Sequence, residues 1–415
     1  APGELRVALE AGFSPDHISV NGVPKDEAHL RRSVEAGVRI TIDGPEEVPV
    51  LERLVRTTGR PAQVRLRLKP VVSEFVRKSD FAAEGLVPSD LAAIAYKGGL
   101  STEEAVEAGR RILRCEGLEL TGFHQHHGRH HASTQWWVAQ MRAFAREIGR
   151  VCGALGGFRP REIDIGGGFA IPRDPHNAAT DYAAPFALAA LHAASLTLHH
   201  VARPARYPLL SRALGLFESR PGGRRAPSVE AYAEACTRTL REELPRHGID
   251  PEGLELQLEP GRAIHGNAGV HLTTVRSVKR MRSPVPWTVV AVDTTEFWLA
   301  GGRFEHHLHE FRVASRMGAP PVEVADVVGR SCYGDRILPA VRVPRLEPGD
   351  LLALLDTGAY QEVSCSNFNA MPRPASVLVT GGRAALVRAA ETEEDVFRRD
   401  RVPDHLRRSE PAPTG

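Results

Sequence analysis

The sequence predicts an α/β domain built on a parallel sheet, followed by a second, mostly β domain. Three observations carry this. Over the first two thirds, short β-branched runs alternate with amphipathic helical stretches, the pattern of parallel strands joined by crossover helices. After about Ala268 the texture changes to strand-like runs separated by Gly and Pro, with few helical stretches. The chain has 415 residues, 42% hydrophobic and 25% charged, which suits two to three ordinary globular domains able to bury their cores without disulfide or metal staples.

The elements follow in order. His17–Gly22 reads as a strand and Lys25–Ala36 as a helix. Val38–Asp43 alternates as a strand, and Glu46–Thr57 has helical apolar spacing. Gln63–Pro70 is a strand. Ser101–Cys115 is a helix opened by Ser-Thr-Glu-Glu, a capping box. Leu118–His126 is a strand, Thr134–Ala154 a long helix, and Glu162–Phe169 a strand running into glycines. Ser228–Glu243 is a helix and Leu254–Gly261 a strand. The count is six strands, two short of a closed (β/α)8 barrel, so a barrel and a doubly wound sheet both remain open. In the second domain, Val270–Val278, Trp287–Val292, Glu323–Val328, Leu351–Leu355, Ser376–Val379 and Ala384–Arg388 read as strands. The expected division is 1–268, with an insertion at about 172–227 containing a helical Tyr182–Val201, then 269–400, then a flexible tail at 401–415.

Composition excludes several function classes. Lys+Arg 53 against Asp+Glu 51 gives a formal charge of +2, with no long basic run, so no nucleic acid or anionic membrane partner is expected. No stretch of about 18 uncharged apolar residues predicts a membrane span. The five cysteines are scattered without a Cys-x-x-Cys pair, which predicts free thiols and a reducing, cytoplasmic setting. No signal-peptide pattern opens the chain, and Ala-Pro-Gly-Glu reads as the middle of a connection.

Chemistry concentrates at the ends of strands. Gly166, Gly167 and Gly168 follow a parallel strand, where bare backbone can approach a phosphate; a tight turn is the competing explanation. Glu259-Pro260-Gly261-Arg262 places both charge signs and a bare backbone where barrel enzymes build their sites. His124 and His126 share a face of their strand, with His127, His130 and His131 close behind. Such a pair could bind a metal or set one ring flat against a cofactor. In the second domain, Gly329–Asp335 carries Cys332, Tyr333 and Asp335 in a glycine-flanked loop. Asp356–Tyr360 and Ser366-Asn-Phe-Asn369 followed by Arg373-Pro374 also stand out.

In this order and spacing, these pieces resemble the pyridoxal-phosphate (PLP) decarboxylases with an alanine-racemase-like barrel and a C-terminal β-sandwich or β-barrel domain. The match is to the diaminopimelate, ornithine and arginine decarboxylase branch. It runs from Gly3-Glu4-Leu5 through Lys25, His124–Gly128, Asp164–Phe169, Glu259–Arg262 and Gly329–Asp335 to Gly358–Tyr360 and Ser366–Pro374. The resemblance implies PLP-dependent loss of CO2 from an amino acid. It implies that Glu259 pairs with the pyridine nitrogen and that His126 lies against the ring. It assigns the phosphate to Gly166–Gly168, Gly261, Arg262 and Tyr360. It makes Cys332 the acid that returns a proton to Cα, Asp335 a substrate ligand, and the assembly a homodimer with shared active sites.

The sequence departs from the pattern in places. The resemblance implies a Schiff-base lysine on the first barrel strand, in a Tyr-Ala-x-Lys-Ala-like run; this sequence holds no such run, and its match begins after the second strand. The first two strands are therefore expected to belong to an N-terminal segment outside these residues. A separate polypeptide, or a PLP-binding protein that no longer forms the Schiff base, are the other readings. Arg129 stands where the family has a Ser beside the phosphate. Tyr333 stands where an acidic residue often reads a distal amine, and Asp335 is one residue short of the usual spacing. These three make the substrate pocket its own. Alternatives are racemisation or epimerisation on the same fold, and a metal-dependent barrel hydrolase using His124 and His126.

Overall fold

The computed structural model describes residues 1–70, 98–126, 134–171, 226–283, 286–299 and 309–407. Arg129, nearly all of the expected insertion and the end of the tail lie outside the described residues. The chain divides into two compact units, one of Ala1–Leu196 with Arg220–Asn267, the other of Thr197–Ser219 with Ala268–Gly415.

The first unit begins with a helix, α1 (Pro2–Glu10), where the sequence reading expects a connection. Strands β1 (Ser19–Val20), β2 (Arg39–Ile42), β3 (Ala62–Arg67), β4 (Leu118–His124), β5 (Glu162–Asp164) and β6 (Glu255–Gln257) form one sheet in that order, every neighbour pair parallel. Helices α2 (Glu27–Ala36), α3 (Glu47–Thr58), α4 (Thr102–Arg114), α5 (Thr134–Ala154) and α6 (Val229–Glu243) supply the crossovers. Strand after strand, this is the wall of a (β/α) barrel.

Local chemistry sets the boundaries. Asp26 caps α2 by accepting from the His29 amide at 2.7 Å, and Gly37 closes it in the left-handed region at φ 72°. Ser101 and Glu104 form the expected capping box on α4. Gly261 opens a short helix, α7 (Gly261–His265), rather than ending a strand.

Strand alternation sorts side chains between two environments. Ile40, Ile42, Val64, Leu66 and Ile163 face the helices and are fully buried with Leu30, Leu51, Leu54, Phe144 and Ile148. The opposite face is charged. Arg39 lies 2.9 Å from Glu162, Arg65 3.1 Å from Asp164 and Arg67 2.7 Å from Asp43. Lys25 is buried between Asp43 at 2.9 Å and Glu47 at 3.0 Å. Buried charges persist only when paired in this way.

The second unit carries a mixed six-stranded sheet. Strands β7 (Val270–Met281), β8 (Trp287–Val292), β9 (Phe311–Val313), β10 (Glu323–Val328), β11 (Arg336–Val343) and β12 (Leu351–Leu355) lie in the order β11-β10-β8-β7-β12-β9. Among the described residues of this sheet, only β8 and β10 pair in parallel. Its core gathers Val275, Val290, Val292, Val327, Val343, Leu352 and Leu354. The sequence reading omits β9 and β11. The first has three residues; the second contains Pro339, which a strand tolerates at a sheet edge, and β11 is an edge strand. A separate hairpin, β13 (Ser376–Thr380) and β14 (Arg383–Arg388), precedes helix α8 (Glu393–Phe397).

Candidate active site

The C-terminal ends of the parallel strands converge on Glu259, two residues beyond β6. Its amide donates to the Gly166 carbonyl at 3.0 Å, locking the β6 end to the glycine turn after β5. The turn needs glycine. Gly166 sits at φ 70° and a Cβ there would stand 2.4 Å from the Gln125 carbonyl; one on Gly167 would stand 2.1 Å from the Glu259 carbonyl. Phe169, next in the chain, stacks on Trp137 of α5 at 4.2 Å and packs against Tyr232 of α6, so the turn is pinned to the helical layer.

Three side chains surround the Glu259 carboxylate. Asn21, just past β1, donates its amide to Oε1. His124, the last residue of β4, places Nε2 3.5 Å from Oε1, and His126 places Nδ1 3.5 Å from Oε2. The two histidines therefore do share a side of the strand end. Burial pushes the Glu259 carboxyl up, but the imidazoles of His124 and His126 more than reverse this and hold it below the usual carboxylate range. Glu259 is an anion at any physiological pH.

The Gly167 N–H donates to His126 Nδ1 at 3.1 Å. The Gly166 N–H donates to Asp164 Oδ1 at 2.8 Å. The Gly261 N–H donates to the Glu259 carbonyl at 2.9 Å. The amides of Gly166, Gly167 and Gly261 thus take part in the turn itself. Gly168, at φ 101°, and the buried Arg262 at the start of α7 are candidates for holding a phosphate.

Arg67 is a site residue that the sequence reading misses. It bridges Asp43 and, through Nη2 at 3.2 Å, the backbone carbonyl of His126. Its signal is present in Arg65-Leu66-Arg67, where two charges alternate around an apolar residue on a strand and so share the inward face. Asn21 carries no comparable signal, because its partner lies 238 positions away.

In the second unit Cys332 is exposed. Its amide donates to Asn369 Oδ1 at 2.9 Å, and Asn369 Nδ2 donates to its Sγ at 3.2 Å. Tyr333 is exposed and meets Phe297 edge-on, which itself stacks on Phe368 at 4.1 Å. Tyr360 is half exposed at φ 66°. Asp335 is engaged by the backbone and a hydroxyl around it. It is 2% exposed, with Oδ1 accepting from Thr295 Oγ1 and the Glu296 amide and Oδ2 from the Ser331 amide. A carboxylate accepting from these three groups braces the loop that carries it.

The residues around Glu259 fit PLP. A carboxylate held ionised suits a protonated pyridine nitrogen, and the imidazole of His126 stands beside it.

Comparison with known proteins agrees. The family described as pyridoxal-dependent decarboxylase, pyridoxal binding domain, matches residues 1–201. The chain is 30% identical over 409 residues to a diaminopimelate decarboxylase of Actinosynnema pretiosum subsp. auranticum, covering 96% of this chain and 76% of the relative. It is 29% identical over 410 residues to that of Archaeoglobus fulgidus, covering 97% and 81%. The crystal structure of diaminopimelate decarboxylase from M. jannaschi shares the fold, with a TM-score of 0.76 at 22% identity over 98% of this chain and 79% of that one. These relatives do not favour the racemase or metal-hydrolase readings. A parallel barrel wall ending in an ionised Glu259, followed by a β unit and matched to these relatives along its length, places this chain in the family of PLP-dependent amino acid decarboxylases.

Proposed function

We propose that the substrate is a diamino acid of the diaminopimelate class, and that the residues converging on Glu259 form the cofactor site. The observation that carries this is the partly buried carboxylate of Glu259, kept ionised at the strand ends by two imidazoles. When bound, PLP supplies an electron sink for the charge left on Cα as CO2 departs. Glu259 holds the proton on the ring nitrogen. His126 supports the ring from the side. Arg262 and Gly168, with Tyr360, bind the phosphate. Cys332 delivers a proton to Cα, and Tyr333 lines the substrate's distal end. The substrate class rests on the relatives, which are diaminopimelate decarboxylases.

The working assembly in this reading is a homodimer in the cytoplasm, with the Cys332 loop of one copy completing the site of the other. Two features support it. The Cys332 loop is exposed yet internally braced, and the β13–β14 hairpin exposes Val377, Leu378, Val379, Leu386 and Val387. An apolar surface of this kind marks a contact. All five cysteines are free, which suits a reducing compartment.

The experiment is direct. Purified full-length protein with PLP is given meso-diaminopimelate, lysine, ornithine or arginine, each labelled at its α-carboxyl carbon, and released CO2 is counted. Diaminopimelate should release label while Glu259→Gln slows release by about 100-fold or more. Equal turnover by Glu259→Gln, or no release from any of the four, would overturn the reading. Mixing inactive Glu259→Ala and Cys332→Ala proteins should restore part of the activity if the site is shared; no recovery counts against the shared dimer.

A further inference from the structure

Two groups approach one oxygen of Glu259. Asn21, from the end of β1, donates its amide to Oε1, and His124, from the end of β4, presents Nε2 3.5 Å from that same atom. The His124 ring is 1% exposed, and neither of its nitrogens has a partner within hydrogen-bond distance. Burying an imidazole in this state is costly. Simple packing would be served better by an apolar side chain.

The surroundings show which way His124 is biased. His124, Asp164 and Glu259 each offer a polar atom within 4.8 Å of the others, so the ring stands near two carboxylates. Asp164 is already satisfied, with Oδ2 3.1 Å from Arg65 and Oδ1 accepting from the Gly166 amide. Glu259 has no arginine or lysine partner among the described ion pairs, so it is the carboxylate with charge left to offer. Its other oxygen, Oε2, lies on the His126 side.

We propose that Asn21 and His124 form a two-point clamp on Glu259 Oε1 that orients the carboxylate and leaves Oε2 for the pyridine nitrogen. Both are positioning residues that act through Glu259. The inference rests on the reading of Glu259 as the partner of the ring nitrogen. It requires the His124 proton on Nε2, the nitrogen 3.5 Å from Oε1.

The test measures PLP binding to the full-length protein by equilibrium dialysis, together with the 15N signal of ring-labelled PLP, which reports protonation of the ring nitrogen. His124→Ala and Asn21→Ala should each weaken binding by at least about tenfold and shift the 15N signal toward the unprotonated form. His124→Gln, whose side-chain amide can donate to the same oxygen, should recover most of both. In a Glu259→Ala background, His124→Gln, His124→Ala and Asn21→Ala should change neither further. Equal losses in that background, or no loss where Glu259 is present, would overturn the clamp. Failure of the unsubstituted protein to bind PLP would instead count against the assignment of Glu259 to the cofactor.

Discussion

The guanidinium of Arg65 on β3 reaches past β4 to Asp164 on β5, with Nη1 3.1 Å from Oδ2 and the arginine fully buried. The same nitrogen donates to Gln257 Oε1 of β6, and Nε donates to Thr41 Oγ1 of β2. One side chain thus ties together four strands of the sheet. Arg65→Leu should destabilise the protein by about 3–5 kcal/mol, since it leaves a buried carboxylate uncompensated. Arg65→Leu combined with Asp164→Leu should be less harmful than Arg65→Leu alone. Urea unfolding of the three proteins checks both statements.

The glycine turn gives a second prediction. Gly167→Ala would force a Cβ to within 2.1 Å of the Glu259 carbonyl, a backbone atom that cannot swing aside. The turn and the β6 end must then separate. A loss of about 1–3 kcal/mol in unfolding free energy is expected, with a larger proportional loss of PLP binding. Thermal melting and equilibrium dialysis measure the two.

Arg373 and Glu391 give a third. Glu391 accepts from the Arg373 guanidinium, the Arg373 amide and Asn367, and these contacts hold its carboxyl down at about 2. Its pKa is lowered on folding from the ordinary 4.5, so the stability it lends is complete above about 4.5 and is lost as pH falls toward 2. Glu391→Gln should therefore be less stable than the parent at pH 7, with the gap narrowing as the solution is acidified through that window. Denaturation series at pH 7, 4 and 3 test the sign.

Thiol chemistry supplies a fourth. Cys332 is exposed, while Cys152 and Cys236 are buried and their thiols are pushed up to about 12 by that burial. A short treatment of native protein with iodoacetamide should label Cys332 first and leave Cys152 and Cys236 intact. Peptide mass spectrometry gives the order. Labelling of Cys152 before Cys332 would contradict the burial pattern.

Periodicity made much of this architecture legible. Thr134–Ala154 and Trp287–Val292 run from end to end as their apolar spacing requires, because each has a long face against a core. The Ser101 capping box was readable because its chemistry is local, three residues apart. Glu259 and His126 were readable through their place at strand ends. What escaped depends on distance or company. Asn21 becomes meaningful only when β1 and β6 converge. Phe311–Val313 is too short to show a period, and Pro339 disguises an edge strand. The bracing role of Asp335 escaped because its partners Thr295 and Glu296 lie some forty positions earlier.

That last arrangement bears on how the family can change. Asp335 ties the base of the 329–335 loop from within, while Cys332 and Tyr333 stand at its exposed tip. The frame and the tip are thus independent parts. A new side chain at position 333 can alter the exposed surface of the loop while the position of the thiol beside it stays fixed.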